Sequence, residues 1–470
     1  MMLRIGCESR AARAALISAA MLSGGAVAGD ACAPSWSAIP GPDRFVFDLL
    51  VHDDGTGPAL FAAGNFDTVA GIEAEMVAKW DGTAWSPLLG PNGLGLRGND
   101  VFRLASYDSG AGPELYAVGI FDELPDGRSV PGVAKWNGTD WSAIHDPSLP
   151  LPFSNGAPVI QELFVHDDGR GEALYAMGGM LFVGPNRPYS IARWDGQGWT
   201  PLSEEGGLGP FAVAYAAEAF DDGTGEALFV SGISYQPEFD SVKVAKWDTA
   251  AWTVLPDPPG FGGFPTIQVN ALAVFDDGSG ERLFAALSSP VGGPSALAAW
   301  DGVSWEIIED GISGAIERMR VLDDDAGPAL FLMGDFFAID GRIMGGLARW
   351  DGDAFTPFAD GGGTGVGGGF NKAWSIAPFD AGNGPDFYVG GEFLIAGGNE
   401  TPGLAVWDLC LPGACPADLE QDGVLDLADL VAFVSAFTSA DPLADFAEPE
   451  GVFDLADLVA FVTAFNAGCP

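Results

Sequence analysis

The run Val77-Ala78-Lys79-Trp80-Asp81-Gly82 returns, with variation, around Trp136, Trp194, Trp247, Trp300, Trp350 and Trp407, seven copies in all. The spacing runs from 50 residues (Trp300 to Trp350) to 58 (Trp136 to Trp194). Self-similarity at such a period restricts the chain to an array of like supersecondary units. Five residues after each of the first six copies stands an aromatic: Trp85, Trp141, Trp199, Trp252, Trp305 and Phe355. The seventh copy, Ala405-Val406-Trp407-Asp408, has none.

Upstream of each copy lies a second β-rich element, as in Leu49 to Gly64, built around Asp53-Asp54-Gly55-Thr56-Gly57. Its turn returns at Asp108, Asp167, Asp221, Asp276, Asp323 and Asp380. Asp-Gly between apolar runs favours a two-residue type I′ hairpin. Each unit therefore reads as four strands: A before the DDGxG turn, B after it, C ending in Trp-Asp, and D carrying the second aromatic. Four-stranded antiparallel units of about 50 residues are what propeller blades are made of. The expected fold is all-β, a seven-bladed β-propeller over residues 30–409. Strand D occurs only six times downstream, and Trp36-Ser37-Ala38-Ile39 near the N-terminus supplies the seventh. That strand is expected to pair with strand C at Trp407, closing the ring and removing two sheet edges.

Residues 1–28 read as a secretory signal, with Arg4, Arg10 and Arg13 before an apolar run and Ala26-Val27-Ala28 as the cleavage site. The chain is expected to be extracellular, secreted or anchored at a cell surface. No later run is apolar enough to span a membrane. After Cys7 goes with the signal, Cys32, Cys410, Cys415 and Cys469 remain, an even number that suits two disulfides in an exported protein. Matched against a complete C–D hairpin, Cys32 and Cys410 fall two residues apart across the turn. A Cys32–Cys410 bond would replace the missing covalent link. With 65 acidic against 20 basic residues and a net charge of -45, nucleic acid is excluded as a partner and cations are favoured.

The blades resemble kelch propellers: Leu174-Tyr175-Ala176-Met177-Gly178-Gly179, Ile191-Ala192-Arg193-Trp194-Asp195 and Trp199 follow the kelch order. Several blades depart from Gly-Gly, as at Gly64-Asn65, Gly119-Ile120 and Ser231-Gly232.

Past Trp407 the composition changes. LADLVAFVSAF at 427–437 recurs as LADLVAFVTAF at 455–465. Leu430, Phe433, Val434 and Phe437 keep helical spacing, so two amphipathic helices with like faces are expected to bury each other. Before the first helix, Asp418, Glu420, Asp422, Asp426 and Asp429 stand at positions 1, 3, 5, 9 and 12 of an EF-hand-type loop. Gly423 holds the turn and the Val424 carbonyl serves position 7, a donor set suited to calcium. Asp426 and Asp429 equally suit an acidic N-cap. The second loop offers Asp445, Glu448, Glu450, Asp454 and Asp457. Counting back from Asp457 puts Phe446 at position 1, so Asp445 reaches it only through a bulge.

Paired loop-helix motifs of this kind resemble dockerin modules, and residues 410–470 are expected to form a small α-helical, calcium-binding, dockerin-like domain. The resemblance implies tethering through a cohesin-like or surface-anchoring partner, with Cys415 and Cys469 clasping the module's ends. At loop positions 10 and 11, often polar partner-reading residues in cellulosomal dockerins, this chain has Leu427-Ala428 and Leu455-Ala456, a departure from classical cohesin recognition.

No catalytic set stands out. His52 and His166 occupy a strand position that other blades fill with Tyr107, Phe220, Phe275, Leu322 and Phe379, and His145 lies in a loop. The turn acids, Asp53, Asp54, Asp81 and their counterparts, are expected to ring one face. The longer B–C and D–A loops are expected on the other face, where Phe153, Phe211, Tyr235, Phe261, Phe336 and Phe370 either meet a glycan or protein ligand or pin down Gly-rich loops. The expected role is a binding or scaffolding protein. The alternative is a polysaccharide-active hydrolase or lyase, which would need ionisable groups from several blades in the central pocket, and no such set is evident.

Overall fold

The computed structural model describes residues 34–409, apart from 111, 131, 145–158, 183–187, 203–209, 235–242, 262–266, 290–294, 325 and 383. Beyond these it describes 417, 419, 425, 427–439, 444, 446, 453 and 455–467. The described residues fall into two compact units, one within Ala33–Pro416 and the other within Ala417–Cys469.

In the larger unit every repeat folds into four antiparallel strands. The first sheet runs Val46–Asp53, Pro58–Gly64, Val77–Trp80, Trp85–Pro87, each strand bonded to the next. Strand B reads as an almost unbroken apolar run because both its faces are covered: in Pro58–Gly64 every residue after Pro58 is buried. Strand C ends in a Trp that meets the aromatic of strand D. The ring centroids are 5.3 Å apart for Trp80 and Trp85, and 5.0 Å for Trp247 and Trp252.

The turns differ from the expected two-residue hairpins. Asp53 pairs with Pro58 and Trp80 with Trp85, leaving four-residue loops. The first Asp takes over the work of the backbone. Asp53 Oδ1 accepts the Gly55 and Gly57 amides at 2.8 and 2.9 Å, and Asp81 Oδ1 accepts those of Thr83 and Ala84 at 2.8 and 2.7 Å.

The A strands pack side by side in sequence order, and Lys372–Asp380 of the last repeat packs against Val46–Asp53 of the first. This closed circuit of innermost strands makes the unit a β-propeller. The outer turns form a matching circuit. A Cβ on Gly138 would stand 2.8 Å from the Asp54 carbonyl of the preceding sheet, and one on Gly82 would stand 3.1 Å from Ala381 of the last sheet. The segment Ser35–Ala38 lies against Leu404–Asp408, with Trp36 opposite Trp407. Trp36 Nε1 donates to the Phe358 carbonyl of the sheet before it, at 3.2 Å, as Trp141 Nε1 does to Leu88 at 2.8 Å.

In the smaller unit, α1 (Leu427–Ser439) and α2 (Leu455–Ala467) meet through Phe433 and Phe461, equivalent residues stacked at 4.0 Å and 10°. Phe446 stands edge-on to both. Val434, expected on the buried face, is instead 56% exposed. Leu427 and Val431, with Leu455, Val459 and Val462 of the second helix, are exposed as well. Residues 1–28 and Cys32, Cys410, Cys415 and Cys469 lie outside the described residues.

Candidate functional site: the mouth of the central channel

Each innermost strand carries a register irregularity against its B neighbour at one equivalent place, six residues before the first Asp of the turn. The shifts lie between Val46 and Asp48, Val101 and Arg103, Ile160 and Glu162, Ala214 and Ala216, Val269 and Ala271, Ile316 and Arg318, and Ala373 and Ser375. A bulge leaves one residue unpaired and re-aims its side chain. The seven residues so freed are Phe47, Phe102, Gln161, Tyr215, Asn270, Glu317 and Trp374. All are half-buried and all line one cavity of about 760 Å³.

The ring has two sides. Trp374, Phe47 and Phe102 succeed one another round the circuit and form an aromatic arc. Phe47 meets Trp374 at 6.4 Å and 89°, and Phe102 at 5.9 Å and 50°. The opposite arc is polar. Asn270 Nδ2 donates to Glu317 Oε2 at 3.0 Å and to Ser288 Oγ at 2.9 Å. Lys372 joins the arcs, with its ammonium 3.1 Å from Glu317 and 4.5 Å over the Trp374 ring. Trp374 Nε1 donates to Glu392 at 3.0 Å.

One residue further along the A strands, charged side chains line a narrower cavity of about 170 Å³ that shares Arg103, Arg318 and Trp374 with the mouth. Glu162 is gripped by Arg103 at 3.1 Å and by Arg318. Asp48 accepts the Leu104 amide at 2.9 Å and the Ser375 hydroxyl at 3.0 Å, with Arg320 at 3.4 Å. Burial pushes the Glu162 carboxyl up, and Arg103 opposes it. Two residues beyond this level sits Glu218, whose carboxyl is raised to about 7 by burial, only partly offset by the Ala219 amide. Among the described residues Glu218 forms no ion pair.

This set corrects the expectation that ionisable groups from several blades do not converge. The signal was present: aligned on the turn Asp, the position five before it reads Asp48, Arg103, Glu162, Ala216, Ala271, Arg318, Ser375. Charges that break an alternating apolar strand had to face the channel.

The other expected sites fare differently. The second turn acid is neutralised by a strand-C or strand-B cation: Asp54 by Lys79 at 2.7 Å, Asp222 by Lys246 at 2.7 Å, and Asp277 by Arg282. The acidic ring is thus spent on turn amides and ion pairs. His52 is buried with Nδ1 2.9 Å from Ser106 Oγ, and burial lowers its pKa. Of the loop aromatics, Phe211, Phe261 and Phe336 are core residues and Phe370 is 70% exposed. Phe153, Tyr235 and His145 lie outside the described residues.

Of the residues expected to bind calcium, Asp429 and Asp457 are described. Both are buried, at 1% and 0% exposure, in the first turns of their helices, and Asp457 Oδ1 accepts the Phe446 amide at 2.9 Å. Two sequestered carboxylates at equivalent positions fit a hard cation's donor chemistry. Asp418, Glu420, Asp422, Val424, Asp426, Asp445, Glu448, Glu450 and Asp454 lie outside the described residues. Among the described residues no group of three or more His, Cys, Asp or Glu side chains forms a metal site.

No protein-family model matches the chain, and no curated protein matches it. Solved structures similar to it include YCF48 from Cyanidioschyzon merolae, at 11% identity and TM-score 0.43, covering 80% of this chain and 98% of that one. The GH74 xyloglucanase from Xanthomonas campestris is similar at 16% identity and TM-score 0.45. That match covers 77% of this chain and 53% of the enzyme, so the chain spans about half the enzyme's length. Saccharomyces cerevisiae Sqt1 is similar at 9% identity and TM-score 0.41, covering 79% and 97%.

Proposed function

We propose that the chain is an exported, surface-tethered binding protein whose seven-bladed, kelch-like propeller takes its ligand at the bulge-ring mouth. The N-terminal strand closes the last blade, and a Cys32–Cys410 disulfide fastens the closure. A dockerin-like module at 410–470, stabilised by calcium and clasped by Cys415–Cys469, anchors the propeller to a cohesin-like or other surface partner. The outward apolar stripes of Leu427, Val431 and Val434 and of Leu455, Val459 and Val462 support the docking role.

The observation that carries the reading is the mouth itself. One side chain from every A strand converges on a cavity whose volume falls within the range of small-molecule sites, about 300–1,000 Å³. The charged groups beside it are engaged with one another: Glu162 with Arg103 and Arg318, Glu317 with Lys372 and Asn270. Such a network holds a shape, and of the carboxylates at the mouth Glu317 is tied to Lys372 and Asn270, Glu392 accepts the Trp374 indole and Asp335 accepts the Ala315 amide.

One observation favours the alternative of a polysaccharide-active hydrolase or lyase. Glu218, with a carboxyl raised to about 7, has the property a general acid needs near neutrality. It lines the narrow cavity and not the mouth. Incubating the full chain with surface extracts and polysaccharides, and measuring both retention and product release, separates the two. Retention without products supports the binding role; product release that Glu218→Gln abolishes supports the enzyme.

A further inference from the structure

We infer that the ligand of the bulge ring is a neutral sugar unit of a glycan, held with its C–H face on the Trp374–Phe47–Phe102 arc and its hydroxyl rim toward Gln161, Asn270 and Glu317. The inference rests on the mouth being a binding site and names the ligand class that its chemistry selects.

A pyranose presents an apolar face of C–H bonds and an edge of hydroxyls that each both donate and accept. The mouth divides the same way. Three aromatic rings from consecutive strands form the apolar arc, and Gln161, Gln268, Asn270, Glu317, the Tyr215 phenol and neighbouring serine hydroxyls form the polar one. Aromatic faces carry partial negative charge and attract C–H groups, while planar amides and carboxylates match paired hydroxyls. Lys372 and Asn270 fix Glu317 from either side, so the polar arc is held in place before a ligand arrives.

Charge then separates neutral from acidic sugars. The cavity wall carries Glu317, Asp335 and Glu392 against Arg103 and Arg318. Both arginines are already committed to Glu162 beneath. Counting Glu162 and Lys372 as well, a uronate or sulfated sugar would meet four carboxylates (Glu162, Glu317, Asp335 and Glu392) against three cations (Arg103, Arg318 and Lys372), in a chain of net charge -45. A neutral sugar meets no such cost.

The test measures binding of the full chain to cellohexaose, mannohexaose, xylohexaose and polygalacturonate by calorimetry, with folding of each variant checked by its thermal transition. At least one neutral hexasaccharide is expected to bind, quenching or shifting tryptophan fluorescence. Trp374→Ala and Asn270→Ala should each weaken it by about tenfold or more, while Val303→Ser, on a distant exposed turn, should change nothing. Trp374→Phe should retain more affinity than Trp374→Ala. Preference for polygalacturonate, absence of neutral-sugar binding, or binding indifferent to both Trp374→Ala and Asn270→Ala overturns the sugar assignment. A peptide or other non-glycan ligand that is lost in Trp374→Ala would overturn it while leaving the binding role standing.

Discussion

Phe47 of the first sheet meets Trp374 of the last edge to face, with ring centroids 6.4 Å apart at 89°. The contact lies where the circuit of innermost strands comes back to its start. Ring closure and the aromatic arc of the mouth therefore depend on the same residues. A disturbance of the seam between first and last repeats should be felt at the cavity, although Trp36 does not line it.

Trp36→Ala removes a buried indole that packs on Trp407 at 5.2 Å and on Phe358 at 6.2 Å and donates to the Phe358 carbonyl. Large-to-small changes of this kind cost about 3–5 kcal/mol. The expected outcome is a marked fall in the thermal midpoint and faster proteolysis of the N-terminal segment. An unchanged midpoint would contradict a closing role for Ser35–Ala38.

Glu162→Gln leaves Arg103, whose side chain is 7% exposed, and Arg318 without their shared carboxylate. Breaking a sequestered pair by deleting one partner costs about 3 kcal/mol or more. Denaturant unfolding should show that loss. Glu162→Gln combined with Arg318→Met should recover part of it, because one stranded charge is then gone.

Glu218 titrates at about 7 in the folded protein, against an ordinary value of 4.5. The folded state therefore holds the proton more tightly than the unfolded one. The stabilisation from this group should be full below about pH 4.5 and be lost as the pH rises through 7, a change of up to about 3 kcal/mol. Glu218→Gln should be close to neutral at pH 4 and stabilising at pH 8, read from paired urea titrations. Equal effects at both pH values would place the proton elsewhere.

If calcium occupies the loops before α1 and α2, its removal should unfold the smaller unit alone. Binding to the folded state contributes about 2.7 kcal/mol when the free ion is a hundredfold above its dissociation constant. Calorimetry of the full chain with chelator should lose or lower one transition and leave the propeller's in place. Asp429→Asn and Asp457→Asn should reproduce the effect in the presence of calcium. Identical traces with and without chelator would argue against the loops as calcium sites.

Much of the architecture was legible because the repeat is written in turn chemistry. Asp53 and Asp81 recur since a carboxylate in that place satisfies two loop amides, and each recurrence marks a hairpin. The loop length was not legible, because Asp-Gly serves a two-residue turn and a Gly-rich four-residue loop equally well. The mouth was hidden for a different reason. Loop aromatics such as Phe211 and Phe336 have the residue type of ligand contacts, but the core absorbs them. Meanwhile Phe47 and Trp374 look like ordinary strand residues until a bulge frees them. Bulges leave no residue signature of their own; only superposing all seven A strands on the turn Asp exposes the ring.

The most direct test of the central claim, that the bulge ring is the ligand site, is hydrogen–deuterium exchange of the full chain with and without a retained hexasaccharide. Protection is predicted at segments 45–48, 100–103, 268–270 and 372–375, with the Asp turns at 53–57 and 81–84 unchanged. Protection confined to those turns, or spread over the outer strands with the A strands untouched, would contradict it.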